Sequence, residues 1–222
     1  RWAASARGFA GVWATETTRE AIPAAFKRKE VYATTGPRIQ LRFFGGWGFR
    51  ARDARARDLA ARGYEKGVPM GGDLTRAPQG RAPTFLISAA KDPFDGNLDR
   101  VQIVKGWVAA DGSARERIYD VAWSGDREPG GDGKLPPLGN TVSLESGQYE
   151  NSIGATELTT VWEDPDFDPG LRALYYVRVI QIPTPRHTLL DTIALQKPPE
   201  VAGGHAPIIQ ERAYSSPIWY TP

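Results

Sequence analysis

The chain has 222 residues, 41% of them hydrophobic, which is enough for a sizeable core and too apolar for a disordered chain. Its 28 basic and 26 acidic residues nearly cancel, and the arginines are scattered rather than clustered, which argues against a nucleic-acid partner. Cysteine is absent, so thiolate chemistry, disulfides and Cys-ligated zinc are excluded, and no apolar run approaches the ~20 residues needed to span a bilayer.

The opening stretch, RWAASARGFAGVWATE, has charges among its apolar residues and does not read as a signal peptide. The only methionine is Met70, so the chain is expected to be a piece of a longer protein. Nothing in it favours cytoplasm over periplasm. TTREAIPAAFKRKE then predicts a helix. Thr17 and Glu20 fit a capping box, Ile22, Ala25 and Phe26 share a face, and Lys27, Arg28 and Lys29 suit the last turn. Pro23 is discordant, since past the first turn it removes a donor and kinks the helix.

VYATTGPRI predicts a strand stopped by Gly36-Pro37, followed by a half-buried strand in which Ile39, Leu41 and Phe43 alternate with Gln40, Arg42 and Phe44. From about 45 to 82 the sequence is rich in Gly and Arg and predicts a long loop excursion, with a short helix over ARDARARDLAAR ending before Gly63. Beyond it come strand signals: TFLISAA, DRVQIVKGWVA, RIYDVAW, NTVSL, ELTTVW, LYYVRVIQI and IIQERAYSSPIWY. Turn clusters KDPFDGN, AADGS, SGDREPGGDGKLPPLG and EDPDFDPG separate them. The pattern predicts a mainly β fold, an antiparallel β-sandwich.

Three blocks carry a resemblance: GFAGVWATETTREAIPAAFKRKEVYATTGPRIQLRFFGGW, ESGQYENSIGATELTTVWEDPDFDPGLRALYYVRVIQIPTPR and the ending IQERAYSSPIWYTP. They resemble the bacterial domain-of-unknown-function 3604 family, which is similar to metal-dependent hydrolases of the polymerase-and-histidinol-phosphatase superfamily. Those enzymes hold two or three divalent metals in a distorted α/β barrel through His, Asp and Glu. The resemblance implies that the chain is the C-terminal part of such a protein. Residues 1–38 would be the closing helix and strand of an upstream α/β barrel, and residues 39–222 the β-sandwich. The family's metal ligands have no matching positions here, so no cofactor is expected in this chain and the divalent metals belong to the N-terminal part. That N-terminal barrel is the expected partner, with a homo-oligomer a further one. The isolated chain is expected to be inactive, its parent a phosphoesterase-like hydrolase.

Thr34, Thr35 and Arg38 follow the presumed last barrel strand, where such barrels gather substrate-binding groups. Thr35, Arg38 and Arg186 are therefore the substrate-lining candidates, against the alternative of a turn-stabilising Thr and interface arginines. His187 stands where the resemblance leads one to expect an aromatic, on a loop, and His205 lies in AGGHAP. In EDPDFDPG, Asp164, Asp166 and Asp168 alternate as in a calcium loop. However, Pro169 occupies the place of the turn glycine and Tyr175 that of the bidentate Glu, so Asx-turns are the simpler reading. Trp2, Trp13, Trp47, Trp107, Trp123, Trp162 and Trp219 raise a rival function, a carbohydrate- or polymer-binding module, for which exposed Trp47 and Trp107 would serve as the stacking platform. A purely structural interface domain is the third reading.

Overall fold

A computed structural model describes residues 8–131 and 133–222, so Trp2 lies outside the described residues. The strands are β1 Phe9–Val12, β2 Val31–Thr34, β3 Gln40–Gly46, β4 Gly67–Pro69, β5 Asp73–Thr75 and β6 Thr84–Ala90. They continue as β7 Leu98–Val108, β8 Ala114–Trp123, β9 Glu157–Glu163, β10 Ala173–Pro185, β11 Ile208–Ser215 and β12 Ile218–Thr221. Helices α1 Ala21–Lys27, α2 Leu59–Lys66 and α3 His187–Ala194 lie between them. None of these helices is long and apolar enough to cross a membrane.

Two sheets form an antiparallel sandwich, in which only β12 and β5 run parallel among the described strands. In the larger sheet β10 is central. β7 follows one edge of it from Ala173↔Trp107 to Gln181↔Leu98. The other edge is shared by β12 at its start and β11 at its end. The smaller sheet runs β4-β3-β6-β9. Period-two alternation decides what lies between them: Leu41, Phe43, Phe85, Ile87 and Leu158 from one sheet meet Val101, Ile103, Tyr175, Val177 and Ile218 from the other.

Val31–Thr34 pairs with β11 through Thr34↔Ala213, Ala33↔Tyr214 and Tyr32↔Ser215, and β1 pairs with it in turn, so residues 9–34 extend the larger sheet. The cap of α1 differs from the sequence expectation. The N-cap is Glu20, which makes no side-chain cap bond, and the Ala21 amide is accepted by Thr18 Oγ1, not Thr17, at 3.2 Å. The helix therefore starts later, Pro23 falls within its first turn, and no donor is missed there.

The segment 45–82 is not an unstructured excursion. It holds a 3-10 turn at Ala51–Arg55, α2, β4 and β5. Its organiser is Asp53, 3% exposed, which accepts the Arg50 amide at 2.8 Å and two hydrogen bonds from Lys66 Nζ at 2.8 Å. Asp58 caps α2 by accepting from the Ala61 amide at 2.9 Å, and the helix runs through Gly63 instead of ending before it. The 3-10 turn and α2 cover the second face of β3 and β6, where Phe44, Leu86 and Phe49 form a small apolar cluster, while β4 pairs with β3 and β5 with β12. NTVSL is likewise no strand. Ser143 bonds back to Gln148 at 2.8 Å and Thr141 Oγ1 to Glu150 O at 2.8 Å, so its polar groups are satisfied in a local turn.

Candidate functional site

The β2–β3 connection, the β6–β7 loop and the β10–α3 junction lie at one end of the sandwich. Thr35 is exposed there. Its hydroxyl donates to the Glu211 carboxylate and accepts the Arg212 amide at 2.9 Å, clamping the connection to β11. Arg38 is tied by its amide to Asp92 Oδ2 at 2.7 Å, and its guanidinium lies 5.8 Å from the centre of the Phe9 ring. Arg186 is anchored elsewhere: its amide donates to Pro207 O at 2.8 Å and its Nε to Ala206 O at 2.9 Å. Thr35 and Arg38 are thus brought onto one connection. No hydrogen bond or ion pair among the described residues joins Arg186 to either.

What the sequence reading missed at this end is Phe94. KDPFDGN signals a turn, and hydrogen bonds brace that turn. Asp92 Oδ1 accepts the Phe94 amide at 3.0 Å, Asp92 O accepts the Asp95 amide at 3.1 Å, and Lys91 Nζ donates to Asp95 O at 2.6 Å. Gln181 Nε2 adds a bond to Asp95 Oδ1 at 2.9 Å. The loop therefore holds Phe94 outward, 94% exposed, with Phe9 also 50% exposed. Burial opposes ionisation of Asp92. The amides of Arg38 and Phe94 and the charges of Arg38 and Lys91 outweigh it and hold the carboxyl below its ordinary value. Tyr149, whose hydroxyl donates to Asp95, is pushed up to about 12 by burial and by that carboxylate. The only sequence signal for Phe94 was an aromatic residue among turn formers.

The aspartates of EDPDFDPG lie at the opposite end. Asp164 is 1% exposed; its Oδ2 takes Lys105 Nζ and Tyr175 Oη, each at 2.6 Å, while Oδ1 accepts the Asp166 amide at 2.9 Å. Asp166 Oδ2 takes Arg117 and Tyr119, each at 2.7 Å, and Asp168 Oδ1 accepts the Gly170 amide at 2.8 Å. These are Asx-turns and ion pairs. Burial and the neighbouring carboxylates raise Tyr119 and Tyr175 well above the usual phenol range. Among the described residues no three His, Cys, Asp or Glu side chains are grouped to hold a metal ion. His187 opens α3 instead of sitting on a loop, and His205 is exposed.

Neither tryptophan expected as a sugar platform stands free. Both are half-buried. Trp47 packs on Phe167 and Tyr220 with ring centres 5.8 and 5.9 Å away, and Trp107 lies 5.4 Å from the Lys105 ammonium.

No curated protein and no solved structure matches the chain. The profile of one family does, that described as "Protein of unknown function (DUF3604)", over residues 1–222. The chain therefore belongs to the DUF3604 family.

Proposed function

We propose that this chain is the non-catalytic C-terminal sandwich of a metal-dependent, phosphoesterase-like hydrolase, and that a catalytic barrel of the same protein rests on the end carrying Phe9, Arg38 and Phe94. The observation that supports it is Phe94, held outward by a hydrogen-bonded turn and 94% exposed, with Phe9 half-exposed at the same end. A large apolar side chain held in water adds nothing to the stability of the fold. Such residues are typical anchors of interfaces, where a central aromatic contributes about 2 kcal/mol or more. Arg38 adds a guanidinium 5.8 Å from the centre of the Phe9 ring, suited to a carboxylate or phosphate oxygen. The parent would use metal-activated hydroxide as nucleophile, with the ligands supplied by the barrel. In this reading the sandwich braces the barrel and contributes one wall of its pocket, with Thr35 and Arg38 nearest and Arg186 further along the same end.

The test is the full-length protein assayed with manganese against phosphomonoesters, phosphodiesters and carboxylic esters, with Phe94→Glu alongside. Turnover by the parent is expected, reduced at least about tenfold by Phe94→Glu. The isolated chain should remain as stable as before, because Phe94 touches solvent. No turnover with any ester class would refute the hydrolase assignment. Full activity in Phe94→Glu would refute the docking.

A further inference from the structure

The outer face of the larger sheet carries a groove of about 370 Å³ where β7 ends and β10 begins, away from Phe94. Strand pairing explains it. Leu174 lies opposite Gly106 on one side and opposite Trp219 on the other, and Val108 lies opposite Ala114. Alternation therefore sets Gly106, Val108, Ala114, Leu174 and Trp219 on one face. Gly106 and Ala114 supply almost no bulk, and that missing volume is the groove. Val108 and Trp219 border it, 48% and 43% exposed. The nearest atoms to a Cβ at Gly106 would be those of the Leu174 side chain, at 3.4 Å, and Arg115 O at 3.8 Å, so a small side chain fits there without a clash and a larger one would project into the groove. Arg172 lies two residues before Leu174 on the same face. It is exposed, and its guanidinium has no ion-pair or hydrogen-bond partner among the described residues.

We propose that this groove binds a small amphiphile with an apolar body and one anionic head. The body lies over Gly106 between Val108 and Trp219, and the head meets Arg172, whose planar donors suit a carboxylate or phosphate. The volume falls in the range of about 300–1,000 Å³ usual for small-molecule sites, which combine apolar linings with few polar groups. A sugar is the wrong class for this lining. Each buried ring hydroxyl needs a partner, and the lining side chains offer few, namely Arg172, Thr221 and the indole N–H groups of Trp107 and Trp219, since the Tyr220 hydroxyl is already donated to Pro169 O. This inference does not depend on the hydrolase reading.

The experiment is calorimetric titration with sub-micellar octanoate, octanol and cellobiose, with sedimentation to follow assembly. Octanoate should bind saturably and octanol more weakly. Gly106→Val should abolish binding of both, while Arg172→Gln should weaken octanoate about tenfold and leave octanol unchanged. Trp219→Ala, which removes an exposed ring, should also weaken both and serves if Gly106→Val fails to fold. Absence of octanoate saturation, or tighter binding of cellobiose, would overturn the proposal. So would self-association that Gly106→Val disrupts, since the occupant would then be a second copy of the chain.

Discussion

At the scale of single residues, Lys105 and Asp164 pose the sharpest energetic question. Both are buried, 4% and 1% exposed, with the ammonium 2.6 Å from the carboxylate. A buried pair of this kind adds little against an apolar isostere, but either half alone is an uncompensated charge. Lys105→Met should therefore destabilise the fold by about 3–5 kcal/mol in urea unfolding at neutral pH. The double variant Lys105→Met/Asp164→Asn should recover much of that, with Tyr175 still donating to the amide oxygen. Equal losses in single and double variants would mean that packing, not charge, dominates. In sequence, Asp164, Asp166 and Asp168 were legible as turn formers because Asx-turns close within two residues. The partnership with Lys105 was not legible, since Lys105 and the Asp166 carbonyl it also bonds are 61 positions apart.

At the scale of elements, α2 shows local propensity overruled by packing. Gly63 sits within the helix, where replacement by Ala would ordinarily gain about 1 kcal/mol. Here a Cβ would come within 2.5 Å of the Phe44 ring, because the helix lies directly on β3. Gly63→Ala should instead lower stability by about 1–3 kcal/mol, the cost of overpacking, read from the urea midpoint. A stabilised variant would show that the helix can lift from the sheet. The strands of the sandwich core could be read from sequence because burial on one face imposes a period of two. The Arg-rich segment around Asp53 could not, because its order comes from one buried carboxylate gathering Arg50 and Lys66. The apolar residues of NTVSL suggested a strand, but the side-chain and turn hydrogen bonds of 141–150 settle its backbone locally.

At the scale of the whole molecule, titration brackets the stable range. Asp53 and Asp92 are both held below the ordinary carboxylate value of 3.8 despite burial, by hydrogen bonds and nearby cations. Their contribution is therefore present above about pH 4 and lost as the pH falls further. Burial raises Tyr32, Tyr64, Tyr119, Tyr149, Tyr175, Tyr176 and Tyr220 above the ordinary 10.0. A raised folded value adds stability below the unfolded value that disappears as the pH rises past it. Unfolding followed by circular dichroism should thus set in above about pH 10 and carry a cooperative rise of phenolate absorbance with it. Phenolate absorbance that rises smoothly near pH 10 in full, ahead of unfolding, would contradict the burial of Tyr175 and Tyr220.

Composition and periodicity by themselves determined the fold class and the absence of thiol chemistry, and they placed most strands, since these depend on local alternation and turn residues. The quoted blocks likewise pointed to the family that the whole-chain match establishes. Tertiary structure alone decided which face each polar residue meets. It tied Thr35 to β11 and the Arg38 amide to Asp92, left Arg186 bound to the chain before β11, set Phe94 in solvent and opened the groove over Gly106. The physical reason is the same throughout: these outcomes depend on pairings between strands far apart in sequence, and no local pattern records which strands become neighbours.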